Sequence, residues 1–427
     1  MRVRIKAGGA PRGKVRAIPS KSHVHRLLIL AALADKETNI HMPKTKAVDI
    51  WATIRSLQAL GAKITQVETG FHVCPIDRAT LPQKAVLPVE ESGSTLRFLL
   101  PIVAALGVEG EFHMVGRLPE RPMDVLEDEM RKKGIRFWRD TPNVLSCTGQ
   151  LQAGDYVLPG DISSQYVTGL LLALPLLGEK SHLTITGTVE SKDYITLTLD
   201  AMAAFDFAPG TAGNTYHISH DASFTSPREI VAEGDWSNAA FWLCAGAMPN
   251  GEIHMDGLEE QSKQGDKEVV DILSKMGAKL QWSEGQLSAT EGTRFGVEID
   301  AIPIPDAIPV LSAVAAVGEG MTLVKNAVRL RIKESDRLNA TATVLNTLGA
   351  NVIEQEAGLT IHGVPHLTGG TVDSWGDHRI AMMAAIASFA CTEDVVITNA
   401  EAVNKSYPTF WEELGQLGKQ VVIEEDV

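Results

Sequence analysis

No apolar stretch in this chain is long enough to span a bilayer. The longest, around Leu27–Leu33 and Leu170–Leu177, fall well short of the ~20 residues a crossing needs. No basic leader with a small-residue cleavage site opens the sequence, so secretion is not expected and a cytoplasmic location is. Cysteine is scarce. The four residues Cys74, Cys147, Cys244 and Cys391 are scattered, with no two in a short ligand spacing, which predicts reduced, inert, buried thiols and no disulfide framework. Positive charge is in deficit, with 39 Lys and Arg against 53 Asp and Glu. The net charge of −14 excludes nucleic acid or an anionic membrane as the main partner. A glycine loop ending in Lys-Ser/Thr is also missing, which removes the P-loop kinases. What remains is a 427-residue chain, 44% hydrophobic and 22% charged, with the composition of a globular protein and a length that predicts two domains.

The chain is internally repetitive. Six apolar, small-residue segments recur: SKSHVHRLLILAAL, ESGSTLRFLLPIVAAL, GDISSQYVTGLLLALPLL, GDWSNAAFWLCAGAM, IPDAIPVLSAVAAV and WGDHRIAMMAAIAS. Aligned on Arg26, Arg97, Tyr166, Ala240, Ile308 and Arg379, they are spaced 68 to 74 residues apart, so six units fill the chain. Between them lie amphipathic helical patterns, five of which end at a glycine suited to a left-handed cap: Gly61, Gly134, Gly277, Gly349 and Gly418. The third unit, ITLTLDAMAAFDF, lacks that glycine. Strand-like runs such as SHLTITGT, MTLVKNA and DVVITNA complete each unit as βαβαββ. A helix apolar on every side has to be interior. The expected architecture is therefore α/β, with three βαβαββ units around a pseudo-threefold axis, twice over, enclosing buried helices. A solenoid is the competing reading, but its repeats run shorter.

Ser22, Ser94, Ser163, Ser164, Ser237, Asp306 and Asp377 sit at or near the starts of the apolar segments, and each alone reads as a helix cap. Lys21, Arg26, Arg97 and Arg379 crowd the same positions. Cations there oppose the helix macrodipole unless an anion is held by N–H groups, hydroxyls and guanidinium together. The pattern predicts a cleft for substrates carrying several negative charges. RLRIKESDRL (329–338) interleaves Arg329, Arg331, Lys333 and Arg337 with acids, and GRLPERPMDVL (116–126) sets Arg117 and Arg121 in a proline-braced loop. Taken alone, the first of these is an ordinary solvated charge run.

Ten segments, among them PSKSHVHRLLILAALAD, ESGSTLR, RLPERPMDVL, GDISSQYVTGLLLALPLL, GDWSNAAF, IPDAIP, RIKESDRL, DHRIAM and KSYPTF, resemble in order the signatures of the 5-enolpyruvylshikimate-3-phosphate synthase family, from about Pro19 to Phe410. The resemblance implies the enolpyruvyl transferase fold, with residues 1–19 plus 234–427 forming a discontinuous domain, 20–233 the second, and the active site in the cleft. It implies transfer of the enolpyruvyl group of phosphoenolpyruvate to the 5-hydroxyl of shikimate 3-phosphate, with release of phosphate, by a monomer that needs neither cofactor nor metal. Shikimate 3-phosphate would be met by Lys21, Ser22, Arg26, Ser163, Ser164, Gln165, Ser191, Tyr194, Asp306 and Lys333. Phosphoenolpyruvate would be met by Lys21, Gly93, Arg121, Gln165, Arg337, Arg379 and Lys405, with Arg97 ordering the site. Asp306 resembles the base on the attacking hydroxyl and Glu334 the acid that protonates the enol carbon, while Lys21 and Lys405 assist the chemistry.

The residue types suit that reaction. A hydroxyl attacks C2 of an enol phosphate while C3 gains a proton, so one carboxylate and one carboxylic acid are needed, and the acid is expected to have a raised pKa. The chain departs from the common family pattern at Val24, His25, Glu91–Ser94, Phe98 and Arg329. His23 and His25 read as packing residues rather than metal ligands. The sister enzymes that transfer enolpyruvate to UDP-N-acetylglucosamine carry a reactive cysteine in the loop matching Val115–Arg121, where this chain has VGRLPER. A non-catalytic relative would be expected to have lost Asp306, Glu334, Lys21 or Lys405, and all four are present.

Overall fold

The computed structural model describes residues 1–424. It divides into two compact units, Met1–Ile18 with Glu233–Val427 and Pro19–Ala232. Among the described residues each unit contains three four-stranded sheets, and all six sheets share one plan. A parallel pair is flanked by an antiparallel hairpin, as in Lys84–Glu90, Glu109–Met114, Val144–Thr148 and Arg136–Thr141. In that sheet and two others the parallel pair is joined through an apolar helix and the hairpin follows an amphipathic one, which is the βαβαββ unit the repeat predicts.

Chain ends and crossings complete three of the sheets, one of them where Arg12–Arg16 lies parallel to Glu252–Asp256. Glu229–Val231 lies parallel to Thr38–His41, supplying from the end of one unit the strand that its first repeat lacks. Arg2–Ile5 pairs with both Val395–Thr398 and Val421–Glu424, tying the N-terminus to the last repeat.

The apolar helices are Lys21–Leu33, Gly93–Ala105 and Ser164–Ala173 in one unit, and Trp236–Ala247, Ile308–Ala316 and His378–Ala387 in the other. Nearly every side chain on them is buried, as helices without a polar face require. Each set forms the centre of its unit's own hydrophobic core. Close packing depends on small residues. A Cβ on Gly169 would stand 2.2 Å from the carbonyl oxygen of Arg97, so only glycine lets the Ser164–Ala173 helix approach its neighbour.

The five cap glycines have φ between +93° and +105°. In the third unit Asp206 takes the left-handed position instead, at φ 59°. One expectation needs correction. Cys147, Cys244 and Cys391 are buried, and burial pushes the thiols of Cys147 and Cys391 up to about 12. Cys74, however, sits on the outward side of an edge hairpin and is only half-buried. No helix among the described residues is long and apolar enough to cross a membrane.

Candidate active site

In the unit Pro19–Ala232 the predicted residues collect at the N-termini of its three apolar helices. Ser20 caps the first, accepting from the His23 amide, and this sets Lys21 in the first turn. The Lys21 ammonium lies 2.8 Å from Asp49, a buried carboxylate in the first turn of the Val48–Ala59 helix. Ser92 caps the second helix through the Thr95 amide. A chain of short hydrogen bonds, His25–Thr53–Thr95–Ser92, fixes that cap against the first helix. His25 is fully buried, its pKa lowered by burial to about 3, so it is a neutral packing group. Ser163 caps the third helix and accepts from the amide of Gln165.

Gln165 links two of these helices, accepting from Arg97 Nη1 at 2.7 Å and donating to Ser94 at 2.9 Å. The same Arg97 reaches the carbonyl of Pro122, which also accepts from the Tyr166 hydroxyl, so the loop bearing Arg121 is braced from two sides. Gly93 lies against both guanidiniums. A Cβ built there would stand 2.9 Å from Arg97 Nη1 and 3.0 Å from Arg121 Nη1. Gly93, Arg97, Arg121, Gln165 and Ser94 therefore form one cluster, in which Arg97 donates to the Gln165 amide oxygen and the Pro122 carbonyl and Gln165 donates to the Ser94 hydroxyl.

Arg26 has a different place. It is 2% exposed, and its guanidinium donates to Thr198, the Ser22 carbonyl, Thr168 and the Tyr194 carbonyl. It ties the first helix to the segment carrying Ser191 and Tyr194. Burial draws its pKa down to about 9. Ser191 itself holds φ 52°, a left-handed conformation costly for a residue with a Cβ, which points to a functional constraint on that turn.

The unit Met1–Ile18 with Glu233–Val427 brings together Asp306, Lys333, Glu334, Arg337, Arg379 and Lys405. Arg337 is the hub. Its guanidinium reaches Asp306 at 2.7 Å, Glu334 at 2.8 Å and Asp377 at 2.8 Å while 1% exposed. Lys333 approaches Asp306 at 3.6 Å, Arg379 approaches it at 3.4 Å, and Lys405 stands 3.5 Å from Glu334. Asp377 caps the His378–Ala387 helix through the Arg379 amide and also accepts from Ser335. Asp336 caps the next helix, Arg337–Thr347, which directs Arg337 inward. From the same charged run, Arg331 turns to Glu354 and Asp336 and braces the loop.

The electrostatics follow from this geometry. Burial works to raise the pKa of Asp306, but Lys333, Arg379 and Arg337 together hold it well below the usual carboxylate range. For Lys333 burial wins, lowering it to about 8 against the pull of Asp306. Burial would also lower Arg337, yet Asp377, Glu334 and Asp306 keep it well above its ordinary value. Glu334 was expected to meet a setting that favours the neutral acid. The cations Arg337 and Lys405 stand beside it instead.

Three carboxylates at these clusters escaped the list of expected site residues: Asp49, Asp377 and Asp266. Asp377 is visible in sequence only as a cap. Asp266, which follows Gln264 and Gly265, is buried beside Ser237, whose hydroxyl donates to it and whose carbonyl accepts from Arg379. Burial, then the nearby charge of Asp306, raises Asp266 to about 6, against the opposing pull of Arg379.

A repeated α/β scaffold with cations and carboxylates gathered at buried helix N-termini is suited to holding anionic groups. The comparisons give the family. The sequence model described as EPSP synthase (3-phosphoshikimate 1-carboxyvinyltransferase) matches residues 5–414. The chain is 42% identical to the 3-phosphoshikimate 1-carboxyvinyltransferase of Clostridium kluyveri, covering 96% of each protein. It is 43% identical to that of Clostridium beijerinckii over 95% of each. The solved EPSP synthase from Acinetobacter baumannii superposes with a TM-score of 0.80 at 25% identity, over 99% of this chain and 100% of that one. The enolpyruvyl transferase NikO from Streptomyces tendae, at 20% identity and a TM-score of 0.77, covers 99% of this chain and 98% of its own and shares the fold. The chain belongs to the EPSP synthase family and is a transferase of the shikimate pathway.

Proposed function

We propose that both clusters serve one reaction, the transfer of the enolpyruvyl group of phosphoenolpyruvate to the 5-hydroxyl of shikimate 3-phosphate with release of phosphate. The observation that carries this reading is the pairing of Asp306 and Glu334 on one guanidinium, at 2.7 and 2.8 Å from Arg337. A base and an acid held on a common cation can act on neighbouring atoms of one substrate pair.

In the proposed sequence Asp306 removes the hydroxyl proton as the oxygen attacks C2. Glu334 delivers a proton to C3, giving a tetrahedral adduct that carries the phosphate. Loss of a methyl proton and of phosphate then yields the enolpyruvyl ether. Lys21, Arg121, Arg337 and Lys405 stabilise the dianion as it leaves. Gly93, Arg121, Gln165, Arg337, Arg379 and Lys405 take phosphoenolpyruvate. Ser22, Ser163, Ser164, Gln165, Ser191, Tyr194 and Lys333 take shikimate 3-phosphate, with Arg26 holding the loop that carries two of them.

The ionised, low-pKa Asp306 is a weak base while three cations hold it. Anionic substrates that draw Lys333, Arg337 and Arg379 toward themselves release it, so substrate binding itself switches the base on. Glu334 takes up its proton by the same exchange, when Arg337 and Lys405 turn to the phosphate and carboxylate of phosphoenolpyruvate. The test is phosphate release from phosphoenolpyruvate with shikimate 3-phosphate, run beside UDP-N-acetylglucosamine. Release with the first acceptor alone is expected. Release with the sugar nucleotide alone would overturn the reading.

A further inference from the structure

Away from these clusters, the sheet that closes the first repeat has a polar outer side. Strand Thr38–His41 pairs antiparallel with Gly70–Cys74, with Asn39 opposite His72. Alternation along both strands brings Glu37, just before the first strand, to the same side as Cys74. The three side chains converge. Cys74 Sγ lies 3.5 Å from Glu37 Oε1 and 3.6 Å from His72 Nε2, and His72 Nε2 lies 3.9 Å from Glu37 Oε2. A tetrahedral Zn(II) with ordinary Zn–S, Zn–N and Zn–O lengths sets the edges between donors at about 3.4–3.6 Å. The two edges to Cys74 fall in that range, while the 3.9 Å separation runs from the other Glu37 oxygen, so the exposed carboxylate must rotate to bring a single oxygen within reach of both partners.

The surrounding hydrogen bonds orient the imidazole. Asn39 Nδ2 donates to Glu229 Oε1 at 2.8 Å, which turns Asn39 Oδ1 toward His72 Nδ1, also at 2.8 Å. Nδ1 must then carry the ring proton, leaving the Nε2 lone pair directed at Cys74 and Glu37. An outer carbonyl fixing the tautomer of a ligating histidine is the usual support of a metal site. The thiol donates to Glu37, so a metal entering between them replaces that proton. Burial, then Glu37, raises the pKa of Cys74, while Lys63 on the neighbouring strand opposes them. Glu37 is exposed and His72 half-buried, so the cluster is open to ions from solvent.

We propose that Glu37, His72 and Cys74 bind one Zn(II)-class cation, with water in the fourth position. The metal replaces the Cys74 proton, which leaves to solvent as the thiolate–metal bond forms. Thiolate, imidazole and carboxylate together select zinc over magnesium or calcium. The site lies beyond the C-terminal end of the helix that begins at Lys21, about 20 Å of helix away, so the metal pins an edge hairpin and takes no part in turnover.

The test titrates Zn2+ alone into the full-length protein against a colorimetric chelator and uses Co2+ as a spectroscopic probe. One equivalent is expected, with a thiolate-to-cobalt charge-transfer band. Cys74→Ser and His72→Gln should abolish the band and weaken Zn2+ at least about tenfold. Asn39→Leu, which keeps all three ligands, should weaken it by about 10- to 100-fold. Phosphate release should be unchanged in all three variants. No Zn2+ bound by the parent protein, cobalt bound without the thiolate band, or undiminished affinity in Cys74→Ser would each overturn the proposal.

Discussion

The two clusters of cations differ in their described partners. In Pro19–Ala232, Arg97 donates to the Gln165 amide oxygen and the Pro122 carbonyl, and Lys21 pairs with Asp49. In the other unit Lys333, Arg337, Arg379 and Lys405 interlock with Asp306, Glu334 and Asp377. In the proposed reaction the first cluster contributes anion-binding groups, while the second contributes such groups together with the proton-transfer pair Asp306 and Glu334.

The sharpest way to break that division is at the base. Asp306→Ala should lower kcat by at least about two orders of magnitude while leaving the affinity for phosphoenolpyruvate largely intact, as steady-state phosphate release would show. A variant that loses affinity but keeps kcat would assign Asp306 to binding. The converse is expected at Gly93. The added methyl of Gly93→Ala displaces the ends of Arg97 and Arg121, and KM for phosphoenolpyruvate should rise about tenfold, equivalent to ~1.4 kcal/mol of lost contact, with kcat little changed.

Lys333 sharpens the comparison through pH. With its pKa lowered by burial to about 8, its ammonium is present below that pH and lost above it. KM for shikimate 3-phosphate should therefore rise a few-fold as pH passes through about 8, and Lys333→Arg should move that limb upward. The smallest effect is expected at Asp266. Burial raises its pKa to about 6 from an ordinary 3.8, so its contribution to stability is complete below about 4 and is lost as pH rises through 6. Asp266→Asn should flatten this part of the Tm–pH profile by about 2–4 °C, measured by calorimetry.

Local signals survived the passage from sequence to structure, and long-range pairings did not. The six apolar helices and the five left-handed glycines are each set within one turn of chain, so periodicity and residue type were enough, but of the expected caps only Ser163 and Asp377 hold that place: Ser20, Ser92 and Asp235 cap where Ser22, Ser94 and Ser237 were read, and the Ile308–Ala316 helix has no side-chain cap. The basic residues crowded at helix starts were equally legible. Their present counter-ions, Asp49 for Lys21 and Asp377 for Arg337, lie 28 and 40 residues away and carry no local mark. Arg26 looked like an open arm because its burial is decided by the segment near Thr198, 172 residues distant. His72 and Cys74 were legible in principle. Two residues apart on a strand they share one side, but spacing rules tuned to Cys-x-x-Cys pass over them.

In the proposed reaction, anion-binding side chains of both units and the proton-transfer pair of one serve a single turnover. Phosphate release from phosphoenolpyruvate and shikimate 3-phosphate, measured in parallel for Lys21→Met and Asp306→Ala, tests it most directly. Collapse of turnover in both variants is predicted. Full turnover in either would contradict the account.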